Sequence, residues 1–173
     1  EFHIRLVPDG RVSGYIAREL AVGDSVKVSG PLGSAYLRRK HEGPMICVAG
    51  STGLAPILSV VRGAIAFGMK NPIHLYLGVR STRDVYGLAW LTELRQAHRA
   101  LTVHVVVASG ADPVKHRSGL VTEAIESDQG DLSGWRAYLC GSPPMVEAAT
   151  LVVRRSGVRA EHVYADAFYT LAG

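Results

Sequence analysis

Twice in this chain an apolar run of strand length ends in glycine and passes directly into a helical pattern, and few folds accommodate that pairing. The first instance is Met45-Ile46-Cys47-Val48-Ala49 followed by Gly50-Ser51-Thr52-Gly53-Leu54-Ala55-Pro56. The second is Tyr138-Leu139-Cys140 followed by Gly141-Ser142-Pro143-Pro144-Met145. A strand that turns into a helix through glycines presents backbone N–H groups at the positive end of a helix dipole, a geometry suited to phosphate oxygens. Two such corners in one small domain predict a ligand lying across the ends of a sheet, with both corners at neighbouring strand tips.

The rest of the chain from residue 44 onward supplies the sheet. Apolar runs at 45–49, 73–79, 101–108, 135–140 and 162–165 alternate with helical patterns. Over 84–98, Val85, Leu88, Leu91, Leu94 and His98 recur at three- and four-residue spacing and define one buried stripe. A helix is expected over 54–67, ending near Gly68. A second opens at Ser118 or Gly119 and runs through Ser127. A third begins at Ser142 as N-cap with Pro143 in the first helical position and stops at Arg155, before Gly157. Strands apolar on both faces, alternating with helices, predict an α/β fold: a five-stranded parallel, doubly wound nucleotide-binding domain. Ligands of such sheets bind outside the carboxyl ends of the strands, where the strand order reverses. Both glycine corners fall at carboxyl ends.

Residues 1–43 read differently. Segments 2–7 and 25–29 alternate like strands, Pro8-Asp9-Gly10 is a turn, Ser13 is placed to cap a short helix through Leu20, and Gly30-Pro31-Leu32-Gly33 breaks the pattern. Two strands and one helix make a poor independent core. With Glu1 rather than methionine at the start, this segment reads as the tail of a domain whose beginning lies elsewhere.

Bulk properties exclude several function classes. The 173 residues are 47% apolar, with a mean hydropathy of +0.14. No apolar run approaches the ~18 residues that a membrane span needs, and a cytoplasmic protein is expected. The net charge is +4. Its densest basic clusters, Arg38-Arg39-Lys40 and Arg154-Arg155, read as solvated surface, as a site for an anionic cofactor, or as a steering patch for an acidic protein. Nucleic acid is disfavoured because no aromatic residues are interleaved with the charges. Cys47 and Cys140 both end buried-looking strands, so neither a disulfide framework nor a four-cysteine cluster can form within these residues. The seven histidines are scattered without metal-ligand spacing. Neither corner carries Gly-Lys-Ser/Thr and no Gly-x-Ser-x-Gly elbow occurs, which removes P-loop phosphotransfer and serine hydrolysis.

In their order along the chain, Gly10-Arg11-Val12-Ser13, Gly30-Pro31-Leu32-Gly33, Gly50-Ser51-Thr52-Gly53-Leu54-Ala55-Pro56, Gly78-Val79-Arg80 with Asp84, Cys140-Gly141-Ser142-Pro143-Pro144-Met145, and Asp166-Ala167-Phe168 resemble the ferredoxin–NAD(P) reductase superfamily. Within it they look most similar to reductase components of naphthalene dioxygenase-type ring-hydroxylating systems. The resemblance implies that 1–43 is the C-terminal part of an antiparallel, FAD-binding barrel and that 44–173 is the NAD(P)-binding domain. It implies a flavin-dependent oxidoreductase passing electrons from NAD(P)H through FAD to a [2Fe–2S] ferredoxin or an oxygenase component, with no nucleic-acid or membrane partner. The family's Arg-x-Tyr-Ser flavin motif and its cluster cysteines do not occur in these residues. The alternative is a non-catalytic NAD(P)-binding unit without flavin.

By the same resemblance, Gly50, Ser51, Thr52 and Gly53 meet the dinucleotide pyrophosphate, with Thr52 near the flavin and nicotinamide. Cys140, Gly141 and Pro143 meet the nicotinamide, Cys140 close to the hydride path. Arg80, Arg83 and Asp84 lie beside the adenosine ribose, where an acid favours the 2′-hydroxyl and arginines a 2′-phosphate. Ser109 and Arg117 border the adenosine. Gly10, Val12 and Ser13 form a turn at the FAD pyrophosphate, Arg5 meets a cofactor phosphate, and Phe168 covers the flavin ring, with Tyr169 as competitor. Each has a plain structural alternative: a tight turn for the glycines, a buried strand end for Cys140, surface for the arginines and Ser109, a helix cap for Asp84 and Ser13, and core packing for Phe168. Met145 is assigned to the core.

Overall fold

Strands apolar on both faces need a partner on each edge and a cover on each side, and the computed structural model, which describes residues 1–169, supplies both. The strands are β1 (Met45–Gly50), β2 (Ile73–Ser81), β3 (Leu101–Ser109), β4 (Arg117–Ser118), β5 (Arg136–Gly141) and β6 (Val163–Ala167). They form one sheet in the order β4-β3-β2-β1-β5-β6, and every neighbouring pair is parallel. The sheet thus has six strands rather than the expected five. β4 is two residues long, too short to leave a periodic signal. The chain steps outward from β1 to β4, then returns to β5 on the other side of β1, so the order reverses between β1 and β5.

Two helices cover each face. On one side α2 (Leu54–Ala66) and α3 (Leu88–Ala97) bury Ile57, Leu58, Val61, Leu91 and Leu94 against Cys47, Ala49, Leu75, Leu77, Tyr138 and Cys140. On the other, α4 (Val121–Asp128) and α5 (Pro143–Arg155) bury Ala124, Ile125, Ala149 and Val153 against Ile46, Val48, Tyr76, Ala137 and Leu139. The expected stripe holds for Leu91, Leu94 and His98, whose Nε2 lies 2.7 Å from the Asn71 carbonyl oxygen. It fails at Leu88, which is exposed. The reason is local: α3 starts at 88 and not at 84, because Asp84 closes a separate 3₁₀ turn at Thr82–Asp84.

The chain divides into two units, Glu1–Gly33 and Ser34–Gly173. The first holds α1 (Arg11–Arg18), of which no residue is buried. The expected strands at 2–7 and 25–29 do not form. A strand is stabilised by its ladder of backbone hydrogen bonds, and neither segment has a ladder partner among the described residues. In the second unit, residues 34–44 are strapped to the sheet. Arg38 N–H donates to the Tyr138 hydroxyl at 2.9 Å, and Asn71 Nδ2 donates to the carbonyls of His41 and Gly43 at 2.8 and 2.7 Å. The Arg38 guanidinium lies 3.6 Å from the ring centre of Tyr36 and 4.3 Å from that of Tyr164. Arg38 is therefore held between two rings rather than free to steer a partner, which leaves Arg39 and Lys40 as the exposed part of that basic cluster.

A polar network pins α4 to the sheet. Gln129 Nε2 donates to the Tyr76 hydroxyl at 2.7 Å and to His74 Nδ1 at 3.1 Å, and Tyr76 donates to Asp128 at 3.1 Å. His104 stacks on Tyr76 at 4.5 Å, with its Nδ1 3.7 Å from Asp128. Burial alone would raise the Asp128 carboxyl, but hydrogen bonds from Arg117 and Tyr76 outweigh it and hold it below its usual range. Burial also lowers His74 and His104, with Asp128 opposing in both cases. Burial likewise lowers His41. A group depressed in the folded state makes folding less favourable as the unfolded state takes up protons. Stability is thus full above about pH 6.5, the ordinary histidine value, and declines as pH falls below it. Asp128 adds a further loss only below about pH 4, the usual carboxylate range. Melting temperature measured from pH 8 to 5 is expected to fall below pH 6.5. A His74→Gln/His104→Gln double variant is expected to fall less steeply.

Candidate functional site

β1 ends at Gly50, and a 3₁₀ turn at Ser51–Gly53 leads into α2. Ser51 adopts φ +51°, a left-handed conformation unusual for a residue with a side chain. Leu54 N–H bonds back to the Ser51 and Thr52 carbonyls. The Leu54 N–H is thereby satisfied, and the N–H groups that open the turn, at Ser51 and Thr52, sit at the positive end of the α2 dipole.

The turn lies flush on the tip of β5. A Cβ on Gly53 would fall 2.1 Å from the Cys140 carbonyl oxygen and 2.5 Å from its carbon. Only glycine fits, since the obstacle is backbone. Gly141, at φ +149°, has a second close approach: a Cβ there would lie 3.0 Å from both Cα and N of Gly50. The Met145 methyl covers the pair, 2.8 Å and 2.7 Å from where the Cβ atoms of Gly50 and Gly141 would be. The core assignment of Met145 thus holds, with the specific duty of closing the corner from the α5 side.

The two corners are chemically unequal, which corrects the expectation that both are lined by amides. α5 starts with Pro143 after an N-cap at Ser142 that makes no side-chain cap bond. Pro143 and Pro144 bring no N–H, and the Val146 N–H is taken by the Ser142 carbonyl at 3.0 Å. Phosphate oxygens therefore find donors at Ser51–Gly53 and few at the second corner. Cys140 is 1% exposed. Burial, together with the charge of Asp166, pushes its thiol up to about 12. The thiol is therefore protonated at neutral pH, and Cys140 is a neutral, buried side chain and not a nucleophile. Phe168 follows β6 and donates its N–H to the Gly141 carbonyl at 2.8 Å. Its side chain is 38% exposed, so it stands at the same edge as Cys140 and Thr52.

The tip of β2 forms the neighbouring part of this edge. Ser81 N–H and Oγ both donate to Asp84, at 3.0 and 2.8 Å. Asp84 is thus a cap of its own turn. Arg80 and Arg83 are exposed. Ser109 Oγ donates to the Arg80 carbonyl at 3.1 Å and ties the tips of β2 and β3 together. Arg117 is not turned to this edge: its guanidinium pairs with Asp128 at the end of α4. One residue that sequence reasoning missed enters here. The Tyr86 hydroxyl donates to the Ser51 carbonyl at 3.4 Å. No spacing rule relates residues 35 positions apart, so the sequence carries no signal for this contact.

In the first unit, Gly10 rather than Ser13 is the N-cap of α1. Ser13 Oγ accepts the Val7 N–H at 3.2 Å and donates to the Gly10 carbonyl at 3.3 Å. Its hydroxyl is occupied within the turn. The Val12 and Ser13 amides at the start of the helix are the groups that suit a phosphate. Arg5 is exposed.

The family model for the oxidoreductase NAD-binding domain matches residues 47–150, the stretch from β1 into α5. The chain belongs to that family. The model for the oxidoreductase FAD-binding domain matches residues 1–36. The ferredoxin–NAD(P)(+) reductase component of the naphthalene 1,2-dioxygenase system of Pseudomonas putida is 57% identical over 169 residues, covering 98% of this chain and 52% of that protein. A Ralstonia sp. reductase component of naphthalene 1,2-dioxygenase/salicylate 5-hydroxylase systems is 59% identical with the same coverage. The chain spans about half the length of the curated relatives it matches. Among solved structures, an Amycolatopsis cytochrome P450 reductase aligns with a TM-score of 0.88 at 34% identity, over 95% of this chain and 50% of that one. Within this NAD-binding domain, Gly53→Ala is expected to cost about 1–3 kcal/mol through overpacking and to abolish dinucleotide binding, as checked by thermal melting and by NADH titration. An unchanged melting temperature would mean that the turn does not sit on β5.

Proposed function

We propose that this chain is the nicotinamide-binding half of a cytoplasmic, flavin-dependent reductase that passes electrons from NAD(P)H through FAD to a [2Fe–2S] ferredoxin or oxygenase component of an aromatic-ring dioxygenase system. The observation that carries the reading is the flush packing of the Ser51–Gly53 turn on Cys140, which sets a phosphate-binding turn beside an apolar strand tip. A dinucleotide needs that combination: donors for its pyrophosphate and a dry surface for its ring. The identity of 57–59% to reductase components of naphthalene dioxygenase systems supports the electron-transfer role.

Bound nicotinamide supplies a hydride, and bound flavin accepts it and releases electrons singly. The protein's part is alignment and exclusion of water. The Ser51–Gly53 turn would hold the pyrophosphate, with Thr52 nearest the flavin and nicotinamide. The β5 tip at Cys140, Gly141 and Pro143 would border the nicotinamide, with the buried Cys140 thiol uncharged beneath it. Phe168 shields the flavin face. The Val12 and Ser13 amides would meet the FAD pyrophosphate, with Gly10, whose N–H is taken by the Val7 carbonyl, shaping the turn and Arg5 supplying a cation, and the [2Fe–2S] centre would be carried outside these residues. No helix among the described residues is long and apolar enough to cross a membrane. The two cysteines are free, as a reducing compartment would keep them.

The longer protein that contains this chain is expected to show flavin absorbance near ~450 nm and to oxidise NADH with ferricyanide as acceptor. Failure of both sinks the reading. A second reading applies to the 173 residues alone: they hold NAD(P)H without flavin and catalyse nothing. It is favoured by the first unit, where no residue of α1 is buried and no strand forms. Under it, NADH titration perturbs the chain while the ~450 nm band is missing.

Nucleotide preference follows from the β2 tip. Asp84 is engaged by Ser81, so Arg80 and Arg83 set the response to a 2′-phosphate. In the longer protein Arg83→Ala is expected to raise KM for NADPH by about 10-fold, the scale of a charge-assisted hydrogen bond, with little change for NADH. Equal effects on both cofactors would remove Arg83 from the adenosine subsite.

A further inference from the structure

Ser51 is a residue with a side chain held at φ +51°. Left-handed backbone of this kind is strained for a residue with a side chain and persists only where neighbours over-determine it. Gly53 packed on Cys140 fixes one end of the turn. The Leu54 N–H on the Ser51 carbonyl fixes the other. The remaining contact comes from outside: the Tyr86 hydroxyl, from the loop between the Thr82–Asp84 turn and α3, reaches the same carbonyl at 3.4 Å.

We infer that Tyr86 is a positioning residue for the dinucleotide corner, its hydroxyl holding the Ser51 carbonyl and thereby aiming the Thr52 amide at the ligand's pyrophosphate. The inference deepens the nicotinamide-binding reading and rests on it. In a planar trans peptide the C=O and the following N–H point in opposite directions. A donor on the Ser51 carbonyl therefore sets where the Thr52 N–H aims. The ring of Tyr86 is itself braced. It meets Trp90 edge-on, with centroids 6.3 Å apart and planes at 87°, and Arg62 of α2 lies 5.9 Å from the Trp90 ring centre. The phenol stays protonated at any physiological pH, because burial pushes it up to about 12. The contact also links two loops with different ligand duties, the pyrophosphate turn after β1 and the ribose-side loop after β2. At 3.4 Å the bond is longer than the ~2.8 Å usual for O–H···O, so its removal has a modest effect.

The test uses the full chain and Tyr86→Phe, which keeps the ring on Trp90 and removes only the hydroxyl. ADP-ribose, which carries the pyrophosphate, and adenosine, which carries no phosphate, are titrated by NMR alongside thermal melting. The expected result is an ADP-ribose Kd raised about 3- to 5-fold, a loss on the scale of one neutral hydrogen bond. Adenosine affinity and melting temperature stay unchanged, and the Thr52 amide resonance moves. In a Ser51→Gly background, where the left-handed turn is free of strain, the Tyr86→Phe effect shrinks. Unchanged ADP-ribose affinity overturns the inference. So does equal weakening of both ligands, a melting temperature lowered by more than about 4 °C, on the order of the shift from a core defect in a chain of this length, or an effect undiminished in the glycine background. A wild-type chain that binds neither ligand overturns the nucleotide reading itself, and this inference with it.

Discussion

The carboxyl edge of this sheet depends on one close approach, that of the Ser51–Gly53 turn to the backbone of Cys140 and Gly141. β1 and β5 lie parallel with Ala49 opposite Cys140, so their tips arrive side by side at the point where strand order reverses. Backbone can meet backbone there because Gly53 and Gly141 have no Cβ. With side chains in those places the tips would spread, Met145 could not close over both glycines, and the residue after β6 would lose its bond to the Gly141 carbonyl. Cys140, Thr52 and Phe168 share an edge as a consequence.

That approach also divides the labour between the corners. The turn after β1 keeps its amides and the dipole of a 13-residue helix. The turn after β5 loses two amides to Pro143 and Pro144, and presents a buried thiol that stays neutral. One corner is suited to charge and the other to an uncharged ring.

Much of this is legible from residue order. The apolar runs, the helix over Pro143–Arg155 and the glycines at 50, 53 and 141 all report their roles through local rules, and the motif order marks the family. β4 escapes because two residues cannot show a period. The strands expected at 2–7 and 25–29 fail because alternation records a preference, whereas a strand exists only when its edge is paired. Arg117 illustrates a third limit: it has the right residue type beside the right strand, yet its guanidinium is taken by Asp128, a choice made by side chains that local pattern does not reveal.

Residue order dictates the class of the protein: a parallel sheet sandwiched by helices, with glycine turns at two strand ends, since propensity, hydrophobic period and backbone freedom are local properties of the chain. Only the folded arrangement makes those two turns touch and brings Tyr86 onto Ser51. These are relations between residues far apart in the chain, and they arise only when burial of both sheet faces forces the strands into one register.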